Sequence, residues 1–315
     1  MAAARGPDFL CVGLLKAGTG WLYDQLDSHP DFRMSPVKEL QYFTLRLHVP
    51  ALASMSAKAA ADLERVNRKR AGRGQRPLER RDLDFFRRAL ALRDAAGEGF
   101  RRRARAVEAR GPLEGPDWSE LVGEDLGDVD SYAALFPEPI SGDITPAYSM
   151  LSEALVAAIA RRFPELKIVL MVRDPVARAC SELAMLVRHG RVPSALLEDP
   201  NQARRWFDRL EVGARSSASK VWRRWSGAFR HSRFFFFDDL TARPDWLRGE
   251  IAAFLGASRD GFTQAADLNR SAAASPPPPG LVGIAVEALA DELDACAAVF
   301  GGPALGWKAA YSGLA

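Results

Sequence analysis

Phe9-Leu10-Cys11-Val12-Gly13-Leu14-Leu15-Lys16-Ala17-Gly18-Thr19-Gly20-Trp21-Leu22 decides how the rest of the chain is read. It opens as an apolar run of strand length over 8–15. It then breaks into a turn with glycines at 13, 18 and 20 and a hydroxyl at Thr19. An amphipathic helix is expected over 20–28, with Trp21, Leu22 and Leu26 at helical spacing. Strand, glycine-bearing turn and helix in that order build an anion site. Glycines admit an oxyanion close to the backbone, the first-turn amides of the helix point at it, and Lys16 adds a positive charge. Lys16, Ala17, Gly18, Thr19, Gly20 and Trp21 are therefore the candidate phosphate cradle. The plain alternative is a strand-to-helix turn with a chance lysine. The order is G-x-x-K-x-G-T, with the lysine ahead of the second glycine, whereas nucleoside-triphosphatase loops read G-x-x-x-x-G-K-[ST].

A second strand-to-helix junction lies downstream. Residues 166–172 form a continuous apolar, β-branched run, the signature of a strand buried on both faces. It ends at Arg173-Asp174-Pro175-Val176-Ala177-Arg178-Ala179-Cys180-Ser181, where Pro175 starts a helix. Arg173 thus stands at the carboxyl end of a parallel strand, where α/β sheets bind ligands. Ser181 follows about two helical turns later. A guanidinium suits a phosphate through paired hydrogen bonds. The competing readings are a helix-capping Arg/Asp pair and, for Arg178, a salt bridge to Asp174 at i,i+4.

Elsewhere the periodicity predicts helices over 151–163, 216–231 and 281–300, a short helix near Trp206 and a strand over 233–237. Ser28-His29-Pro30 ends the first helix, with His29 structural. The segment 62–110 is rich in arginine, and Leu83, Phe86, Leu90 and Arg93 have helical spacing within it. It reads either as a solvated insert or as a basic face that attracts an acidic acceptor. The expected architecture is a single α/β domain over residues 1–315, with a central, mostly parallel sheet between helices. A basic helical insert occupies about 44–115. At 315 residues the chain can bury a sizeable core, and a net charge of +3 gives no reason to expect a nucleic-acid partner. Three widely spaced cysteines, Cys11, Cys180 and Cys296, read as reduced core residues. Met1 to Arg5 leads almost directly into the first strand, and no run approaches the ~20 apolar residues of a membrane span. A cytoplasmic protein is expected, and its oligomeric state is open.

The first loop, together with Lys38-Glu39-Leu40-Gln41-Tyr42-Phe43, resembles the sulfotransferases that use 3′-phosphoadenosine-5′-phosphosulfate (PAPS), in particular their carbohydrate and heparan-type domain. The resemblance runs from about residue 8 to 307, excluding the insert. It implies a P-loop-like, three-layer fold in which Lys16 and its loop cradle the 5′-phosphosulfate, and Arg173 and Ser181 contact the 3′-phosphate. The two anion points would hold the two ends of one nucleotide, with 3′-phosphoadenosine-5′-phosphate as product. Glu39 corresponds to the family's base, which takes the acceptor hydroxyl's proton, and Lys16 would stabilise the leaving phosphate. Gln41 stands where relatives have histidine.

Gly142-Asp143-Ile144-Thr145-Pro146-Ala147-Tyr148 resembles a block near the acceptor, which implicates Thr145 and Tyr148, with Lys38, in substrate contact. Thr-Pro is equally a helix entry. Ile144 replaces a lysine of some relatives, so no second catalytic lysine is expected. Asp238-Asp239-Leu240 resembles a structural corner; no metal is implied. Asn269-Arg270-Ser271 resembles a block that closes over the nucleotide, and Trp307 the family's terminal tryptophan. The implied acceptor is a hydroxyl of a carbohydrate, glycolipid or natural product. His48 and His189 are reserve bases. The alternatives are a P-loop kinase acting on a small molecule, and a non-enzymatic binder of an anionic polymer.

Overall fold

The computed structural model describes residues 5–44, 57–58, 62–72, 77–95, 126–136, 138–263 and 276–313. His48, Arg101-Arg102-Arg103, Trp118 and Asn269-Arg270-Ser271 lie outside them. Among the described residues, four strands form one sheet: β1 (Phe9–Cys11), β2 (Gly142–Ile144), β3 (Lys167–Val172) and β4 (Ser232–Phe236). Their order is β2-β1-β3-β4 and every pairing is parallel. Cys11 pairs with both Ile144 and Val169, and Val172 with Phe236, so the strands end together on one edge of the sheet. β1 is shorter than the apolar run suggests. Its ladder stops at Cys11, although the amides of Val12 and Leu14 still donate to the carbonyls of Val169 and Met171. β2 was not legible as a strand. Its Gly142 is dictated by packing, because a Cβ there would stand 2.5 Å from both the ring and the carbonyl oxygen of Phe9.

The described helices are α1 (Thr19–Asp27), α2 (Leu63–Ala71), α3 (Arg80–Ala95), α4 (Val129–Ala133), α5 (Glu153–Arg162), α6 (Pro175–Arg188) and α7 (Pro200–Phe207), then α8 (Leu210–Ser216), α9 (Ala218–Ala228), α10 (Phe237–Ala242), α11 (Pro244–Leu255), α12 (Pro279–Ala288), α13 (Ala290–Phe300) and α14 (Ala304–Trp307). Successive strand residues face opposite sides of a sheet. In β4, Phe234 meets Trp222 of α9 and Phe300 of α13, whereas Phe235 meets Phe254 of α11. Helices therefore cover both faces, giving the three layers of a P-loop-like α/β fold. The single helix expected over 281–300 is two, α12 and α13, with the break at the buried Leu289.

The insert is tied down where it is described. Arg70 of α2 reaches Asp27 at the end of α1 (3.2 Å), and Asp82 of α3 reaches Arg33 (3.2 Å). All four side chains are buried or nearly so, which makes these pairs costly to break singly. α3 is helical as its spacing suggests, but it buries Phe85, Phe86, Ala89 and Leu92, and Leu83 is only partly covered. His29 is structural: its Nδ1 accepts from the Asp31 amide, and its Nε2 lies 2.7 Å from the Asp260 carbonyl oxygen. Among the described residues no helix is long and apolar enough to cross a membrane.

Candidate active site

The loop after β1 and the residue after β3 meet at the carboxyl edge of the sheet. Gly18, at φ 88°, is the N-cap of α1, and no side chain caps that helix. Its left-handed backbone and tight surroundings both require glycine, since a Cβ would lie 2.6 Å from Leu240 Cδ1. Lys16 is also left-handed, at φ 67°. Arg173 Nη1 donates to the Lys16 carbonyl oxygen at 2.7 Å, and its guanidinium lies 4.3 Å from the centroid of the Phe237 ring. Arg173 thereby joins the ends of β1, β3 and β4.

Burial lowers the pKa of Lys16 from the ordinary lysine value, and repulsion from Arg188 and Arg173 lowers it further, against a smaller opposing pull from Glu182. Burial also lowers that of Arg173. An uncapped helix start and two desolvated cations that repel each other form a site that a phosphate dianion would relieve. In this respect the residues fit the bisphosphate nucleotide.

The capping reading of the Arg173-Asp174 junction applies to Asp174 alone. Asp174 caps α6, accepting from the amides of Val176 (2.8 Å) and Ala177 (3.3 Å), and it also accepts from the Tyr311 hydroxyl. Arg173 turns instead to the Lys16 loop. Arg178 does not pair with Asp174. It pairs with Glu182 one turn further on (3.0 Å) and donates to Ser216 Oγ (2.7 Å), because capping has already engaged Asp174. Ser181 lies on α6 and is half-buried. Asp238 accepts from Trp307 Nε1 (3.2 Å) and Asp239 from Arg243 Nε (2.8 Å), so the acidic pair after β4 serves as a corner of the fold. Among the described residues no three His, Cys, Asp or Glu side chains gather as metal ligands would. The sequence reading missed Phe237 and Tyr311. The strand expected over 233–237 is β4 (Ser232–Phe236), and Phe237 instead opens α10; Tyr311 carried no signal.

A second loop at this edge bears Lys38 and Glu39. It hangs from the carboxyl end of β2, beside the strand that leads to Lys16: the Thr145 amide donates to the Cys11 carbonyl (3.1 Å) and the Gln41 amide to Thr145 Oγ1 (3.3 Å). Lys38 Nζ donates to one oxygen of Glu39 (2.5 Å) and Gln41 Nε2 to the other (3.3 Å). The side chains of Lys38 and Glu39 remain 23% and 24% exposed, open to a partner. Thr145 and Tyr148, in contrast, are wholly buried. Their hydroxyls donate to Asp143 at 2.8 and 2.6 Å, so they stand behind the loop and offer no surface to an acceptor. Thr145 precedes the 3-10 turn Pro146–Met150 but does not cap it. Asp143 itself went unremarked in the sequence. Burial raises its pKa above the usual carboxylate range, and the hydrogen bonds it accepts oppose that rise.

The profile of the Sulfotransferase family matches residues 7–260, which span every strand and both loops. The chain belongs to the sulfotransferase family. The sulfotransferase of Alicyclobacillus acidocaldarius has a similar structure, with a TM-score of 0.58 and 19% identity, covering 96% of this chain and 98% of that one. At that identity the likeness speaks for the fold. A sulfotransferase of Mycobacterium avium aligns over 92% of this chain and 69% of its own, at 14% identity and a TM-score of 0.35. The sequence matches no curated protein. Within this sulfotransferase, Lys16, Arg173 and the Lys38-Glu39 pair share the edge of the sheet where the strands end.

Proposed function

We propose that this sulfotransferase moves a sulfo group from PAPS to a hydroxyl of a carbohydrate, glycolipid or natural product. The observation that carries the donor assignment is the 2.7 Å hydrogen bond from Arg173 to the Lys16 carbonyl. It sets Arg173 beside the Lys16 loop, which supports reading the two as the anion points of one nucleotide. Lys16, Ala17, Gly18, Thr19, Gly20 and Trp21 would hold the 5′ end, with Arg173 and Ser181 at the 3′-phosphate. In the transfer, the acceptor oxygen bonds to sulfur while the bond from sulfur to the 5′-phosphate oxygen breaks, its electron pair leaving on the phosphate. Lys16 and the uncapped amides of α1 face that growing charge. Glu39 takes the hydroxyl proton. Lys38 and Gln41 hold its two oxygens, fixing the direction from which it can act. No metal takes part in this scheme.

The basic segment 44–115 reads as an insertion in one functional unit, since its described helices are pinned to α1 and Arg33 by buried ion pairs. A cytoplasmic setting accords with three free, buried cysteines. Against a small-molecule kinase stand the loop order and the structural use of Asp238 and Asp239. A binder of anionic polymers has no use for the paired Lys16 and Arg173 elements. The test is titration calorimetry with 3′-phosphoadenosine-5′-phosphate in the presence of a chelator, and separately with Mg-ATP. Binding of the first, weakened by Lys16→Ala and Arg173→Ala, supports the donor site. Binding of Mg-ATP alone overturns it. A screen of methyl glycosides, glycolipids and phenols, read by a mass gain of one sulfo group, identifies the acceptor.

A further inference from the structure

Residues 39–42 have a backbone they would not adopt unaided. Glu39 sits at φ 66° and Gln41 at φ 54°, both in the left-handed region that disfavours side chains. Such geometry persists only where the surroundings over-determine it. Here one buried group does so. The Leu40 amide donates directly to Asp143 Oδ1 (3.4 Å). The Gln41 amide donates to Thr145 Oγ1, which in turn donates to the same Asp143 oxygen. The Tyr42 amide donates to the Tyr148 hydroxyl (3.1 Å), which donates to Asp143 Oδ2. Tyr132 adds a further hydroxyl to Oδ2 (3.2 Å). Three consecutive amides of the loop thus converge, directly or through one hydroxyl, on a single carboxylate in β2. Asp143 is 1% exposed, so its use is internal.

We propose that Asp143 is a positioning residue of the transfer reaction: with Thr145 and Tyr148 as its two relays, it holds the Lys38-Glu39 turn in a strained conformation that presents Glu39 to the acceptor hydroxyl. This rests on the reading of Glu39 as the base. A buried strand at the edge of the sheet, and not the loop itself, sets where the base stands. The buried polar Asp143 in β2 and Thr145 directly after it are explained by this use. A base displaced by about 1 Å loses on the order of 100-fold in rate.

The test compares Thr145→Val, Thr145→Ser, Asp143→Asn and Glu39→Gln. It uses sulfo transfer from PAPS to the best methyl glycoside of the acceptor screen, titration with the adenosine bisphosphate, and hydrogen exchange of the 38–44 peptide. Thr145→Val removes one relay and nearly preserves shape, which keeps the test open if Asp143→Asn does not fold. The expected result for Thr145→Val is a kcat lower by roughly 10- to 100-fold with KM little changed. Bisphosphate affinity is unchanged, exchange rises within 38–44, and Thr145→Ser recovers most of the rate. Full activity of Thr145→Val beside a crippled Glu39→Gln overturns the positioning role alone. Unimpaired turnover of Glu39→Gln overturns the reading of the base, and this proposal with it. Parallel loss of rate, bisphosphate binding and thermal stability in Thr145→Val reduces Asp143 to a general support of the fold and also overturns the proposal.

Discussion

Arg173→Ala is the sharpest perturbation of the proposed donor site. Among the described residues, the guanidinium donates a 2.7 Å hydrogen bond to the Lys16 carbonyl and stacks on Phe237 at 4.3 Å. Its remaining donors are those assigned to the nucleotide's phosphate. A hydrogen bond to a charged group is worth about 1.5–3 kcal/mol. At about 1.4 kcal/mol per tenfold, losing one such contact to the bisphosphate weakens binding by roughly 10- to 150-fold. The internal contacts add an effect on the fold that should be smaller. The Lys16 carbonyl can turn to water once the side chain is gone, and the repulsion that depresses Lys16 is partly relieved. A stability loss of about 1 kcal/mol is expected. Arg173→Lys keeps the charge but not the planar fork, so it should recover only part of the affinity. Calorimetry with 3′-phosphoadenosine-5′-phosphate measures the first quantity and thermal unfolding the second. A folded Arg173→Ala protein that binds the bisphosphate within about twofold of the parent would show that this arginine is only a brace between strands, and the donor site would have to be sought elsewhere.

Glu39→Gln should lower kcat by about 10²–10⁴-fold with bisphosphate affinity retained, measured by steady-state transfer and calorimetry. Gly18→Ala combines a left-handed φ of 88° with a Cβ 2.6 Å from Leu240, so thermal unfolding should show a loss of about 1–3 kcal/mol together with weakened bisphosphate binding. Lys16 gives a pH signature. Its pKa lies below the ordinary lysine value in the folded protein, so between the two values the unfolded chain holds more protons and stability rises with pH. A bound phosphate should return the proton, so calorimetry in that alkaline interval, in two buffers of different ionisation enthalpy, should record proton uptake on binding. Lys16→Met should abolish that uptake.

What the sequence revealed follows from how locally each element is determined. β3 and α6 are legible because an apolar run, an Arg-Asp pair and a proline stand in one stretch, and each acts on its immediate neighbours. The same holds for the Lys16 loop, whose glycine at 18 answers a local backbone need. β2 shows no such signal. Gly142-Asp143-Ile144 has one apolar residue in three, and it becomes a strand because Phe9 lies against Gly142 and the ladder of β1 is already present. Arg178 had two carboxylates within a helical turn, Asp174 and Glu182. The choice was decided by Pro175, which places Asp174 at the N-cap and engages it there.

The acceptor side was the least legible because it is the least local. Residues 39–42 owe their shape to 143–148, about a hundred positions away, and the two segments meet only once β2 has joined the sheet. Resemblance could therefore point to Glu39, but only the folded chain shows why Thr145 and Tyr148 accompany it. They are buried and hold the turn that carries Glu39. The proposed donor half depends on charge and backbone that any short stretch can supply. The acceptor half depends on a buried carboxylate whose partners come from three separate segments, around 40–42, at 132 and at 145–148. On that account, changes in Lys16 or Arg173 should act on nucleotide affinity, and changes behind Glu39 on turnover, with little crossing between the two.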